Sequence, residues 1–361
     1  MREKIISAER EFWLTPREIY DYLDQYVIGQ ERAKKVVAIS AYNHFKRVLA
    51  NQNKPRKGYR LPLLKKSNLL LIGPTGCGKT HIARTLSEIL QVPFVVVDAT
   101  EYTEAGYYGK DVEVMIGELL YSTNLEVEKV ERGIVFIDEI DKISRRTDAM
   151  RDGAYGRDIR GEGVQQALLK LLEGAKIFVP YNLTQHWNKH DFVQVDTTNI
   201  LFICAGTFTD LYKSGRARPM GFKKGEKGKK EIKPVEERIT TEDLLRYGML
   251  AEFLGRIPVI VEMDELTEEE MMRIVTEPPD CLLKEYRALM ALDEIELDFP
   301  ESAIREVVQE AKRRKLGARG LRTIFEEVMR DYMFLAPEMT GKRIVITASD
   351  VREKLGRDSA V

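Results

Sequence analysis

The residues whose types and spacing carry the most chemistry are Gly73-Pro74-Thr75-Gly76-Cys77-Gly78-Lys79-Thr80. They follow an apolar run over residues 69–72 and precede a helix-forming stretch over 82–90. Strand, glycine-rich turn and helix in that order make a phosphate-binding loop. Its glycines let backbone N–H groups close around phosphate oxygens, its lysine reaches the outer phosphates and its threonine hydroxyl holds Mg²⁺. Gly73 through Gly78 are therefore expected to cradle the phosphates of ATP, with Lys79 on the outer phosphates and Thr80 on the metal.

A second apolar run, Ile134-Val135-Phe136-Ile137, ends in Asp138-Glu139. Two acids at a strand end mean little alone, but downstream of an intact phosphate loop they take different tasks. Asp138 would hold Mg²⁺ through water, and Glu139 would orient and polarise the water that attacks the terminal phosphate. Hydrolysis is then expected, not binding alone. A third feature is Gly106-Tyr107-Tyr108-Gly109, two aromatics between glycines after a strand and before a helix. Such rings are either lifted on a loop, where they need a partner, or tucked into the core.

The elements that must position these groups are readable in outline. Thr15-Pro16-Arg17-Glu18 is a capping box with proline at the first helical position, opening a helix to about residue 25, and helix continues over 30–49. Residues 51–66 form a basic, proline-containing connector. Apolar runs at 69–72, 94–97, 134–137, 200–204 and 259–261 alternate with helical stretches, which predicts an α/β fold with a parallel sheet covered by helices. Past Asp264-Glu265-Leu266-Thr267 the pattern changes to helices over 268–275, 281–291, 303–315 and 321–334, with short strands at 295–299 and 343–346. The expected division is an N-terminal helical segment and connector (1–66), a large ATPase domain (67–264) and a smaller, mostly helical C-terminal domain (265–361).

Bulk composition excludes more than it identifies. With 57 basic and 58 acidic side chains among 361 residues, no overall field draws the chain to nucleic acid or membrane. No run approaches the roughly 20 apolar residues of a membrane span, and the N-terminus lacks the apolar stretch of a secretion signal, so a cytoplasmic protein is expected. Cys77, Cys204 and Cys281 include no Cys-x-x-Cys pair, so neither a disulfide frame nor a cysteine zinc site is expected. His186 and His190 have the spacing of helical metal ligands, but Pro180, Asn182 and Asn188 argue a loop there. The lysines of the glycine-rich stretch 213–233 read as a solvated surface loop before they read as a nucleic-acid contact.

Taken together, the motifs resemble the ClpX family of AAA+ protein unfoldases. The matching segments are Tyr26-Val27-Ile28-Gly29-Gln30-Glu31, the phosphate loop, Asp98-Ala99-Thr100, Glu104 to Gly109, 133–143, 161–170, Glu252-Phe253-Leu254-Gly255-Arg256 and Gly317-Ala318-Arg319-Gly320-Leu321-Arg322. The related HslU unfoldase fits less well, because it carries a large extra domain for which this chain has no room. The resemblance implies an AAA+ P-loop ATPase in which Val27 and Ile28 pack against adenine, Arg319 touches the nucleotide of its own subunit and Arg256 acts on a neighbour within a homohexamer. It implies that Tyr107 and Tyr108 line a central pore and grip unfolded or tagged polypeptides, and that residues 145–160 form a second pore loop. It also implies that Met220-Gly221-Phe222 docks on a ClpP-type peptidase.

The expected function is therefore an ATP-dependent unfoldase and translocase feeding a peptidase. The rivals are a free-standing chaperone and, behind it, a nucleic-acid remodelling motor. Four departures from the family pattern stand out. Tyr108 replaces a valine, Met220 replaces an isoleucine, and Gln185-His186-Trp187 lacks an arginine-lysine-histidine character. The cysteines of an N-terminal zinc-binding domain are absent as well, so adaptor recruitment by that route is not expected.

Overall fold

The computed structural model describes residues 14–52, 66–103, 110–145, 161–180, 192–213 and 238–357. Its strands in chain order are β1 (Leu69–Ile72), β2 (Phe94–Asp98), β3 (Tyr102–Thr103), β4 (Lys110–Asp111), β5 (Ile134–Asp138) and β6 (Lys176–Pro180), then β7 (Phe192–Asp196), β8 (Leu201–Gly206), β9 (Val259–Glu262), β10 (Glu296–Asp298) and β11 (Arg343–Val345). They fall into two compact units, one made of Asn43–Ile72 and Leu90–Glu262, the other of Met1–Tyr42, Gly73–Ile89 and Met263–Val361.

The first of these units is built on a five-stranded sheet in the order β2-β5-β8-β1-β9, with every neighbouring pair parallel. Parallel strands must be covered on both faces, and their sequences show it: all residues of β1 and β8, and Ile134 to Ile137 of β5, are buried although successive side chains point to opposite faces. All five apolar runs expected as strands take their places in this sheet. An antiparallel hairpin of β6 and β7 was not anticipated; Ile177 and Val179 face inward there while Phe178 stays exposed.

Three basic side chains, buried His44 and Arg47 and half-buried Lys66, gather beneath the amino end of β8. His44 Nε2 lies 2.9 Å from the Asn199 carbonyl, to which it donates, and Arg47 Nη2 donates to Thr198 O at 3.0 Å. Lys66 Nζ donates to Thr197 O at 2.8 Å and to Leu171 O at 3.3 Å, in the last turn of the helix Gly161–Glu173, where a cation also meets the negative end of the helix dipole. Among the described residues no partner faces His44 Nδ1. Burial, reinforced by Arg47 and Lys66, pushes the His44 imidazole down to about 3.

In the other unit the expected capping box of Thr15 forms, and a second one not expected from the sequence forms at Thr267. Thr15 and Glu18 close the N-terminus of Pro16–Tyr26, and Thr267 and Glu270 that of Glu268–Thr276. Helices Leu282–Leu292, Glu301–Arg313 and Ala318–Leu335 surround a core in which Phe299 stacks on Phe325 at 4.8 Å and Phe325 on Tyr286 at 5.4 Å. β10 and β11 pair in parallel beside it. A last helix, Ala348–Arg357, goes beyond the elements expected from the sequence, and Thr347 and Asp350 exchange the bonds of a capping box at its start.

His44 makes stability pH-dependent with a definite sign. Its folded value lies below its ordinary 6.5, so the stability contributed by the neutral ring is complete above pH 6.5 and is lost as pH falls toward 3. Each pH unit in that window costs about 1.4 kcal/mol from this group. Denaturant unfolding at pH 7.5, 6 and 5 should show a flatter pH slope in His44→Gln than in the parent chain; parallel slopes would contradict the assignment.

Candidate nucleotide and hydrolysis site

The phosphate loop belongs to the unit that holds the C-terminal helices, and its geometry there is tight. Gly76 and Gly78 have φ of 79° and 100°, the left-handed region that glycine enters freely. Gly73 lies so close to the main chain that a Cβ would sit 2.6 Å from Met263 O. Lys79 opens the helix Lys79–Leu90 and is buried, its Nζ donating to Gly73 O at 2.7 Å and Pro74 O at 2.9 Å. Burial pushes the Cys77 thiol up, so this cysteine is an inert wall of the loop and no nucleophile. Thr75 is exposed, with Pro74 and Thr80 half-buried.

Chain neighbours of two further predicted groups meet this loop or its helix within the same unit. Gly317, at φ 59° and ψ −154°, a combination open essentially to glycine alone, leads into the helix Ala318–Leu335. A Cβ on Gly317 would lie 3.0 Å from Thr75 O, and Ala318 N donates to Gly76 O at 3.3 Å. Arg319 follows at once, exposed on the first turn and without an ion-pair partner among the described residues. On the other side Val27 and Ile28 are buried, and Tyr26 O lies 3.1 Å from His81 Nε2 on the loop's helix.

Gln30, a residue with no expected role in the sequence, ties residues of this unit together. Its amide meets one residue twice: Oε1 accepts from Asp264 N at 3.0 Å and Nε2 donates to Asp264 O at 2.8 Å, with Cys77 O at 3.5 Å from the same nitrogen. Gly29 and Gln30 both adopt positive φ to make this approach, 67° and 57°. Only the Gly29-Gln30 pair hinted at such a turn.

In the other unit, Asp138 ends β5 and accepts the Glu139 N–H on Oδ1 at 2.9 Å. Glu139 is exposed and left-handed, φ 55°, a costly conformation for a side-chain-bearing residue that swings it clear of the strand. Because all five strands are parallel, Asp138 and the last residue of β1, Ile72, end on one edge of the sheet. Arg256 lies on the opposite edge: Asn68, just before β1, donates from Nδ2 to Arg256 O at 2.8 Å and Leu172 O at 3.2 Å. Four or five strand residues separate these edges, roughly 13–16 Å. The Arg256 guanidinium pairs with Glu173 at 2.5 Å, both groups about half exposed, so the pair contributes little to stability.

Among the described residues no cluster of three or more His, Cys, Asp or Glu side chains is arranged to hold a metal ion. The Thr80 hydroxyl in one unit and the Asp138 carboxylate in the other are hard oxygen donors, the donor type that Mg²⁺ takes. Tyr107 and Tyr108 lie outside the described residues, as do Met220, Gly221 and Phe222; the flanks of the tyrosine segment, β3 and β4, pair in parallel.

The chain matches the model of the AAA domain (Cdc48 subfamily) over residues 64–260 and that of the C-terminal, D2-small domain of ClpB protein over 266–343. It is also 44% identical over 338 residues to the ATP-dependent Clp protease ATP-binding subunit ClpX of Treponema denticola, covering 92% of this chain and 80% of that protein. The chain belongs to the ClpX family of AAA ATPases. As a ClpX-family protein it binds nucleotide and is an ATPase. No helix among the described residues is long and apolar enough to cross a membrane.

The Gln30 clamp is testable apart from catalysis. Gln30→Ala removes the two hydrogen bonds that the side chain makes with the Asp264 main chain and should lower unfolding free energy by about 1–3 kcal/mol. Gln30→Glu, which sets a carboxylate against the Asp264 carbonyl, should lose at least as much. An unchanged denaturation midpoint in both would show the clamp to be inconsequential.

Proposed function

We propose that this protein is a cytoplasmic, hexameric, ATP-driven unfoldase that threads polypeptides through a central pore and delivers them to a ClpP-type peptidase. The observation that carries the ring is the polarity of the sheet. Glu139 leaves the carboxyl edge and Arg256 the amino edge, so a subunit's own arginine is far from its own catalytic carboxylate. An arginine that stabilises phosphoryl-transfer charge must then serve the next subunit, which ties hydrolysis to assembly. The polypeptide substrate and the peptidase rest on the resemblance to the Treponema protein, whose name is that of a Clp protease subunit.

The roles follow from chemistry. Val27 and Ile28 supply an apolar seat for adenine. The Gly73–Gly78 backbone binds phosphate, and Lys79 exchanges the carbonyls of Gly73 and Pro74 for phosphate oxygens. Thr80 and Asp138 would hold Mg²⁺, which when bound neutralises charge on the phosphates. Glu139 takes up the proton of the attacking water, and Arg319 reports the nucleotide to the helix Ala318–Leu335. Tyr107 and Tyr108 grip the threaded chain by apolar contact that is indifferent to its sequence. Met220-Gly221-Phe222 docks the peptidase, Met220 filling an apolar pocket as a flexible side chain can. The methionine, where the family has isoleucine, also favours a second reading in which the motor works without a peptidase.

Glu139→Gln should still bind ATP while turnover falls on the order of 10²- to 10³-fold; wild-type turnover would refute the assignment. Tyr107→Ala should keep its ATPase activity and lose degradation of a tagged, folded fluorescent protein in the presence of ClpP. Equal loss of fluorescence in both would remove the tyrosine from the mechanism, and loss of fluorescence without proteolysis would favour the peptidase-free reading.

A further inference from the structure

The last turn of the helix Gly161–Glu173 is pinned more firmly than its place at the surface requires. Leu171 O accepts from Lys66 Nζ at 3.3 Å, Leu172 O accepts from Asn68 Nδ2 at 3.2 Å, and Ala175 N donates to Thr197 Oγ1 at 3.0 Å. Gly174 leaves the helix at φ 95°, so close to the neighbouring turn that a Cβ would lie 2.8 Å from Thr198 Cα. Among residues 171–175 Glu173 alone carries a charge, and its side chain is 46% exposed.

A carboxylate is out of place there on helix grounds. The C-terminal turn carries negative partial charge, which favours a cation and disfavours an acid. Its partner is the Arg256 guanidinium, 2.5 Å away and 49% exposed, and at such exposure an ion pair contributes little. Stability does not explain Glu173.

The main chain ties the two side chains together. The Asn68 carboxamide is fully buried and holds Arg256 O at 2.8 Å as well as Leu172 O, so one rigid group fixes the backbone at Arg256 and immediately before Glu173. The carboxylate meets the guanidinium at Nη2. A guanidinium has five donors on a planar fork, and a carboxylate at one corner leaves the others for a second anion.

We propose that Glu173 is a positioning residue for Arg256: it takes one corner of the guanidinium and aims the rest across the subunit boundary, at the phosphates held by the neighbouring copy. A free arginine side chain samples many rotamers, and the pair removes part of that freedom before the neighbour's nucleotide is met. The proposal rests on the reading of Arg256 as an arginine that serves the next subunit. Glu173 touches neither nucleotide nor water and acts only through the guanidinium.

Steady-state ATP hydrolysis by the full chain, combined with subunit mixing, separates aiming from a structural role. Glu173→Ala should lower kcat on the order of 10- to 10²-fold, with KM for ATP and melting temperature within experimental error of the parent. Arg256→Ala should lower it further, and the double variant should be no slower than Arg256→Ala alone. The defect should also fall on the neighbour's site, so adding Glu139→Gln subunits, which keep Arg256 and Glu173, should raise turnover per Glu173→Ala subunit. Parental kcat in Glu173→Ala, a double variant slower than Arg256→Ala, or no rise in rings shown by differential tags to be mixed overturns the proposal. Arg256→Ala measured alongside keeps the two readings apart: its collapse beside a normal Glu173→Ala overturns only the Glu173 assignment, whereas parental turnover in Arg256→Ala overturns both.

Discussion

A parallel sheet has two chemically different edges, and the organisation of this protein follows from that constraint. Every strand of the β2-β5-β8-β1-β9 sheet points the same way, so every strand delivers its C-terminal residue to one edge. Asp98, Asp138, Glu139 and Thr207 gather there because they follow apolar runs long enough to cross the core and no longer. Asn68 and Arg256 lie on the other edge for the matching reason: they precede strands. No loop rearrangement within one subunit exchanges the two edges, and that is why the arginine's partner is sought in another copy.

Within each unit, polar side chains are held by partners that fix them. In the unit with the phosphate loop, Gln30 bonds both main-chain atoms of Asp264, and glycines at 76 and 317 let two backbone turns approach closer than any Cβ permits. In the unit with the sheet, Asn68 satisfies carbonyls of Leu172 and Arg256, and Asp141 holds the turn after β8. Each is a buried polar side chain with its partners in place, the condition under which such groups specify a unique arrangement. The positive φ at Glu139 and Phe208 shows where local preference has been overridden.

The phosphate loop, the paired acids, the five strands and most helices were legible because each is written in local sequence: a turn needing glycine, a run crossing a core, a hydroxyl three residues before a carboxylate. The β6–β7 hairpin was harder, since its apolar alternation spans few residues. The hydrogen bonds by which Gln30, Asn68 and Asp141 hold the fold were illegible for a different reason. Their partners lie at Asp264, Arg256 and Thr207, far along the chain, and a lone amide or acid carries no mark of what it will face. The same holds for the edge on which Arg256 falls, which depends on strand direction and not on the residues around it.

The most direct test of the account mixes two inactive proteins. Subunits carrying Arg256→Ala keep Glu139 but supply no arginine, whereas subunits carrying Glu139→Gln keep Arg256. If the arginine serves the adjacent subunit, combining the two in equal amounts should restore ATPase activity that neither shows alone, since some Arg256→Ala subunits then receive an intact neighbour. Mixtures as inactive as their components, with mixed rings demonstrated by differential tags, would contradict an arginine acting across the boundary and with it the ring-coupled mechanism.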